Sequence, residues 1–466
     1  DFPLLQAVAE TGPAELLGRL DQLKAQEFVD ETAVFPQRRY AFRHGLIREV
    51  AYGSLLQRRR SEWHGLVGAA LERLAGDALE DHLPALADHY ARSANREKAL
   101  HYLIRAGDRA ARQYAASQAQ AYGEQALALL DSGPDDPAVR RQLLDRVGDA
   151  HFAQGGLSQA LAVWQKARAL AQDDRRATAE LNRKIGVTHW SLGDPDTAVA
   201  HFAGGLESLA SEGDCLEGAR LFQELGRISF RLGRHDEANR WAEKALALGE
   251  RLMAPDVISH ASNTIGLALA RVGEIERGAE AVTHSLETAL AHDLSPAACR
   301  AYANLAVLYT TIDQDRSAAY CAEGLALAMR IGDLIHQSWL QCILAGRSCS
   351  LAGDYKEGVK AARASIELDR RLGQKSHLPI PLIILAQIHQ CHGEFDESER
   401  YYQEALMLAQ DLGEPQLLIP CYDGLATLAI EQGDEAQAEQ YLERSQRLME
   451  ETGWASDNLL VLPFLS

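Results

Sequence analysis

Residues 226–238, Gly226-Arg-Ile-Ser-Phe-Arg-Leu-Gly233-Arg-His-Asp-Glu-Ala238, decide the fold, because their pattern returns. Gly186, Gly193 and Ala198 lie 40 residues earlier, and Gly266, Gly273 and Gly278 lie 40 residues later. The turn glycine continues as Gly353, Gly393 and Gly433, with Asp313 as the one substitute. Seven residues before each of these points stands a small residue, continuing as Ala306, Gly346, Ala386 and Ala426. An earlier copy, Gly148 before Gly155, lies 38 residues ahead. A fixed period of this length marks an array of stacked supersecondary units, each too small to bury its own apolar face.

Both small positions have a physical reading. The lattice glycine suits a turn in which a left-handed backbone ends one helix, and the acid that often follows it (Asp194, Glu274, Asp354, Glu394, Asp434) sits where the next helix's free N–H groups favour an anion. The earlier small residue falls inside a helix, where glycine costs about 1 kcal/mol relative to alanine. Close approach of a second helix offsets that cost. The apolar residue just before it (Val147, Ile185, Leu225, Ile265, Leu305, Leu385, Leu425) marks the buried stripe of the first helix. In the second helix, Ala198, Ala238, Gly278, Gly358 and Ala438 mark the packing face, with Leu206, Leu246, Leu286, Ile366 and Leu406 further on. Each unit is therefore predicted to hold two helices of roughly 15 to 18 residues, about 25 Å long.

This pattern resembles the tetratricopeptide repeat, in which Leu-Gly of the first helix precedes an Ala of the second at a fixed distance, as Gly186 precedes Ala198 and Gly226 precedes Ala238. It departs from the usual 34-residue unit in length. It also departs at the aromatic of the first helix, where His189, Ser229 and Leu269 stand and only Tyr309 conforms. The longer helices are similar to variants found in bacterial regulators. The resemblance covers residues 138 to 450 and implies an all-α, right-handed α-solenoid whose concave groove binds a partner. Weaker copies upstream, Ala87 with Tyr90 and Ala99, then Gly107 with Ala119, extend it as degenerate repeats. The run Ser132-Gly133-Pro134-Asp135-Asp136-Pro137 reads as a turn between stacked sections.

The amino-terminal part differs. Residues 1 to 75 hold ten basic and ten acidic residues, so the whole formal excess of −19, from 47 Lys and Arg against 66 Asp and Glu, lies beyond them. A helix over residues 13 to 26 precedes two short runs, Glu27–Glu31 and Tyr40–His44, that read as a β-hairpin around Pro36. Helical periodicity resumes at Leu46, and together these elements suggest a winged helix. The segment Tyr40-Ala-Phe-Arg-His-Gly-Leu-Ile-Arg-Glu-Val-Ala-Tyr52, with Arg59, Arg60, His64 and Ala87-Asp-His-Tyr90, resembles the region after the ATPase core in bacterial signal-transducing AAA/STAND proteins, notably those fused to adenylate or guanylate cyclases. The resemblance implies a winged helix before tetratricopeptide repeats and a nucleotide-phosphate contact for His44. A strand-end histidine packed on Tyr40 or Tyr52 is the alternative. Three parts are thus expected: residues 1–75 winged-helix-like, 76–132 degenerate repeats, and 133–466 the repeat solenoid. Because Asp1 enters a helical pattern at once, the chain reads as a piece of something longer.

Composition narrows function. The acidic surface repels phosphate, which makes nucleic acid an unfavourable partner, and no apolar run reaches the roughly 18 to 20 residues of a membrane span. No secretory leader opens the chain, so a cytoplasmic location is expected. The seven cysteines, Cys215, Cys299, Cys321, Cys342, Cys349, Cys391 and Cys421, form no CxxC pair and read as reduced packing residues. Neither a phosphate-binding GxxxxGK[ST] loop nor a GxSxG nucleophile motif occurs, so no catalytic role and no cofactor are expected. His389, Cys391 and His392 are neighbours on one helix and diverge too far to close a metal site.

On the first helices, offsets of −6, −3, +1, +4 and +5 from the small residue share a second face. Arg220, Gln223, Arg227, Phe230 and Arg231 occupy it in one repeat; His260, Asn263 and Arg271 follow in the next, then Arg300 and Arg347. Trp190 offers an apolar anchor. Arginine forks on one face of so acidic a chain point to an acidic peptide, a carboxylate terminus, or a phosphorylated or nucleotide ligand, with Asn263 on peptide backbone. Ion pairing with neighbouring acidic helices is the competing account.

Overall fold

The computed structural model describes residues 1–452 apart from Glu10, Pro36, Asp135, Gln172, Leu351 and Ala352; the packing expected of Cys349 lies outside the described side chains. The chain is helical almost throughout and divides into two compact units, Asp1–Ala150 and His151–Ser466.

The first unit opens with α1 (Phe2–Val8) and α2 (Pro13–Ala25), then the antiparallel pair β1 (Val29–Ala33) and β2 (Arg39–Phe42). Val29 pairs with Phe42 and Glu31 with Tyr40, so the expected hairpin is present with its first strand shifted two residues later than the sequence suggested. Helices α3 (Gly45–Gly53), α4 (Gln57–Ala75), α5 (Leu83–Ala91), α6 (Arg96–Arg112), α7 (Ala116–Asp131) and α8 (Pro137–Ala153) follow. Tyr90 packs over Gly68, where a Cβ would come within 2.8 Å of its ring, and Tyr90, Leu86 and Leu103 are among the fully buried side chains of the unit.

The second unit is the repeat array. Its helices are α9 (Leu157–Ala169), α10 (Arg175–Ser191), α11 (Pro195–Ser208), α12 (Leu216–Arg231), α13 (His235–Arg251), α14 (Pro255–Arg271), α15 (Ile275–Ala291) and α16 (Ser295–Ile312). Then come α17 (Gln314–Ile331), α18 (Leu334–Ser350), α19 (Tyr355–Leu372), α20 (Pro379–Cys391), α21 (Phe395–Leu412), α22 (Pro415–Gln432) and α23 (Glu435–Thr452). Hairpins α10–α11 through α22–α23 are the 40-residue units, and the unit is a tetratricopeptide-type α-solenoid.

The lattice glycines hold the left-handed backbone their role requires: Gly193, Gly233, Gly273, Gly393 and Gly433 have φ between 77° and 90°, and Gly353 has 65°. Asp313 solves the same turn differently. With φ −157° its carboxylate accepts N–H bonds from Asp315 and Arg316, capping α17. Inside the helices, a Cβ on Gly266 would stand 2.6 Å from Gly278 O, and one on Gly226 would stand 3.2 Å from Ala238 O. The backbones of paired helices therefore touch through these sites. Cys215, Cys299, Cys321, Cys342 and Cys421 are buried free thiols, as packing residues should be. Cys391 departs from that reading: it is exposed, because the last residue of α20 falls on the solvent side before the Gly393 turn.

Candidate functional site

The array winds tightly enough for early turns to meet late ones. Gly155, after α8, lies against Leu372, and a Cβ on it would approach that side chain to 2.3 Å. Gly193 likewise meets Leu412 and Lys375. Further along, Arg231 at the end of α12 reaches the α21–α22 turn. Its Nη2 and Nε donate to Glu414 Oε2 at 2.9 and 3.1 Å, and Nη2 also donates to Ser376 O at 2.9 Å. Glu414 is 1% exposed and receives a further bond from Gln416. The Arg231 guanidinium lies 5.8 Å from the Trp190 ring and 5.6 Å from the Trp339 ring. Residues about 180 apart in sequence are thereby joined across the inner side.

Behind this junction is a cavity of about 350 Å³. Of the residues singled out in the sequence, Trp190, Gln223, Arg227, Phe230 and Arg231 line it, as do His260, Arg271 and Arg300. Three others stand elsewhere. Arg220 is held by Asp256 at 2.8 Å, and Arg347 bonds Ser317 and donates to Gln314 O at 3.0 Å. Asn263 is buried and its Oδ1 accepts from Asn304 at 2.6 Å; it faces the neighbouring first helix. His44, in the first unit, is exposed at the N-cap of α3 and makes no capping bond. Tyr52, its other suggested neighbour, has its hydroxyl 2.9 Å from His64 Nε2.

The electrostatics of the cavity follow from desolvation. Glu224, the single carboxylate among the described lining residues, pairs with Arg227 at 2.7 Å and with Arg183 at 3.4 Å. Burial opposes its ionisation, yet these guanidinium groups hold the carboxyl below its ordinary value. Arg300 has neutral partners: it donates to His260 Nδ1 at 3.2 Å and to Thr264 Oγ1 at 3.3 Å. Removal from water, with repulsion from Arg227, pushes its guanidinium down to about 10. Burial brings Arg271 to about 10 as well. His260 falls to about 3, first through burial and then through Arg300, so its imidazole is neutral. Because an arginine can only donate, His260 Nδ1 accepts and its proton sits on Nε2.

Trp339 and His377 also line the cavity and escaped the sequence reading. His377 Nδ1 lies 2.7 Å from Asp369 Oδ2, both residues being 2% exposed or less, while Ser338 Oγ donates to Asp369 Oδ1 at 2.6 Å. The imidazole lies against Trp339 with ring centres 3.9 Å apart and the planes tilted by 33°. No local signal identifies these residues, since they reach the site only through winding. Among the described residues, no group of three or more His, Cys, Asp or Glu is placed to hold a metal ion, and no helix is long and apolar enough to cross a membrane.

Fold and cavity together define a helical-repeat protein with a cationic hollow on its inner side. A tetratricopeptide-repeat family model matches residues 178–251 and 378–451, so such repeats are present in the array. Among solved structures, a Rap protein complexed with competence and sporulation factor is similar at 14% identity and a TM-score of 0.55, over 76% of this chain and 98% of that one. That likeness is one of fold. The Rap conjugation gene regulator of plasmid pLS20, in complex with the Phr* peptide, gives 14% identity and 0.48 over 86% of this chain and 98% of that one. A STAND protein with a tetratricopeptide repeat sensor from Pyrococcus horikoshii gives 14% and 0.36 over 97% and 61%. No curated protein matches the sequence.

Proposed function

We propose that the chain is the sensing arm of a multidomain signalling ATPase of the STAND type, binding a protein or peptide partner on the inner side of the array. The observation that carries this reading is the cavity: Arg227, Arg231, Arg271 and Arg300 converge there, walled by Trp190 and Trp339, in a chain of formal charge −19. Guanidinium forks in a desolvated site favour carboxylate or phosphate over neutral groups. A protein of the same fold, the Rap protein, was solved with a factor bound, which is in keeping with a binding role. In this reading residues 1–75 act as a winged helix that relays binding to an upstream nucleotide-binding domain of the same polypeptide. His44 senses nucleotide there, residues 76–132 cap the array, and the output is a cyclase or a transcriptional response. The protein works in the cytoplasm without cofactor, catalysis or nucleic-acid contact.

A free-standing peptide-responsive regulator or scaffold is the second reading, and the full gene separates the two: a phosphate loop encoded upstream of Asp1 supports the first. The binding role is tested with an array of acidic peptides probed by labelled chain. Joint Arg227→Glu and Arg271→Glu replacement should abolish peptide capture while helicity persists; unchanged capture would discard the cationic groove.

A further inference from the structure

The cavity is more selective than a general anion patch. Its cationic groups come from three successive first helices, Arg227 on α12, Arg271 on α14 and Arg300 on α16, and their side chains share a hollow with Leu267, Val307 and the indole of Trp339. Glu224 and Glu414 answer Arg227 and Arg231, whereas the hydrogen bonds of Arg300 end on neutral His260 and Thr264. Among the described lining residues the Arg300 charge therefore has no carboxylate bonded to it and stands beside apolar surface. At about 350 Å³ the space stands at the small end of the roughly 300–1,000 Å³ typical of small-molecule sites, and an extended peptide segment exceeds it.

A second, independent feature faces the same hollow. His377 is 2% exposed, its Nδ1 is engaged by Asp369, and no atom of the described residues hydrogen-bonds its Nε2. A buried polar atom left in that condition is costly, and a ligand atom bonding it relieves the cost. With Nδ1–H donating to the Asp369 carboxylate, Nε2 is the ring atom left to meet a ligand, and a ring carrying that one proton accepts there from an N–H or O–H donor.

We propose that this cavity binds a small amphipathic oxyanion: a carboxylate or phosphate head for Arg271 and Arg300, an apolar body against Trp339, Leu267 and Val307, and one donor for His377 Nε2. The inference rests on the inner-side binding role proposed above and adds a small ligand held in the cavity itself, beside the protein or peptide partner of the surrounding inner side. N-acetylphenylalanine carries all three features and serves as the probe, followed on the full chain by calorimetry and by tryptophan fluorescence, since Trp190 and Trp339 line the site.

The free acid should bind, its carboxamide at least tenfold more weakly, and 3-phenylpropionate, which lacks the N–H, several-fold more weakly. Arg300→Gln should lower affinity for the acid at least tenfold, while Arg363→Gln, at an exposed position outside the cavity, leaves it unchanged. Phenyl phosphate examines the phosphate head in the same way. Equal binding of acid and amide overturns the proposal, as does absence of binding by every small probe. So does much tighter binding of a peptide extended amino-terminally from the same phenylalanine, which assigns the site to a chain end. Small-probe failure with acidic peptides still captured sinks this inference alone; small-probe binding without peptide capture sinks the protein-partner reading alone.

Discussion

The early and late first helices of the array share one lattice and present opposite inner sides. In α20 every residue from Pro379 to His389 is buried, and α22 is buried from Pro415 through Ala426. In α12, α14 and α16 the inner side carries Arg227, Arg271 and Arg300 around a hollow. Beside the late helices the chain winds back on itself: the turns near Gly155 and Gly193 lie against Leu372 at the end of α19 and Leu412 at the end of α21. The inner side is thus filled at one end of the array and holds a partly enclosed cavity at the other. A repeat pattern fixes the unit, while pitch decides where a ligand fits.

The Arg231–Glu414 junction is where this contrast breaks most easily. Arg231→Met leaves the carboxylate of Glu414, 1% exposed, without its cation, and loss of one partner of a buried pair typically costs about 3–5 kcal/mol. Urea unfolding should show that loss, and the double replacement Arg231→Met with Glu414→Met should recover most of it, because the desolvated charge is gone from both sides. Equal stability of the single variant and the wild type would mean that the junction does not hold the winding.

Next in size is a contrast between two glycines at one lattice position. A side chain on Gly266 meets Gly278 O and Val282 at 2.6 Å, so Gly266→Val should cost about 2–3 kcal/mol by overpacking. At Gly346 the nearest atom to a Cβ is Ile384 Cδ1 at 3.7 Å, and Gly346→Ala should stabilise by about 0.5–1 kcal/mol through helix propensity. Thermal melts of the pair test whether close backbone approach belongs to the early repeats alone. Similar losses in both would erase the distinction.

These residues also show what was legible. The turn lattice could be read because positive φ selects glycine, and the fold followed from it. The turns between units were harder to see, since Met253 and Asp293 adopt φ of 51° and 56° without a glycine to mark them. Arg227, Arg271 and Arg300 were found because they share a helical face. Glu224 on that same helix was passed over, and Trp339 and His377 enter only through superhelical winding, which no local spacing encodes. Asn263 shares the offset of the cavity-lining Gln223, yet its own side chain bonds Asn304 on the next first helix. Arg220 pairs with Asp256, whereas Arg347 bonds the Ser317 hydroxyl and Gln314 O, so each arginine's role depends on which acceptor lies within reach.

The smallest expected effect concerns protons. His260, on α14, faces Glu224 and Arg227 from α12 and Arg300 from α16, with Asp256 on its own helix, and its pKa is lowered to about 3, first by burial and then by Arg300. The folded state therefore keeps the imidazole neutral while an unfolded chain protonates it near the ordinary value of about 6.5. Its contribution to stability is complete above that value and declines as pH falls from about 6.5 towards 3, since only the unfolded state takes up the proton there. His260→Gln keeps an acceptor for Arg300 and removes the titration. Against this variant, the wild type should lose stability at up to about 1.4 kcal/mol per pH unit, and nearer half that because the ring is only partly buried. The difference between the two unfolding curves at pH 7 and pH 5 measures it. A flat difference across that window would show that the imidazole is open to bulk water, and that the early end of the array is an open groove rather than the partly enclosed cavity that sets it apart from the late end.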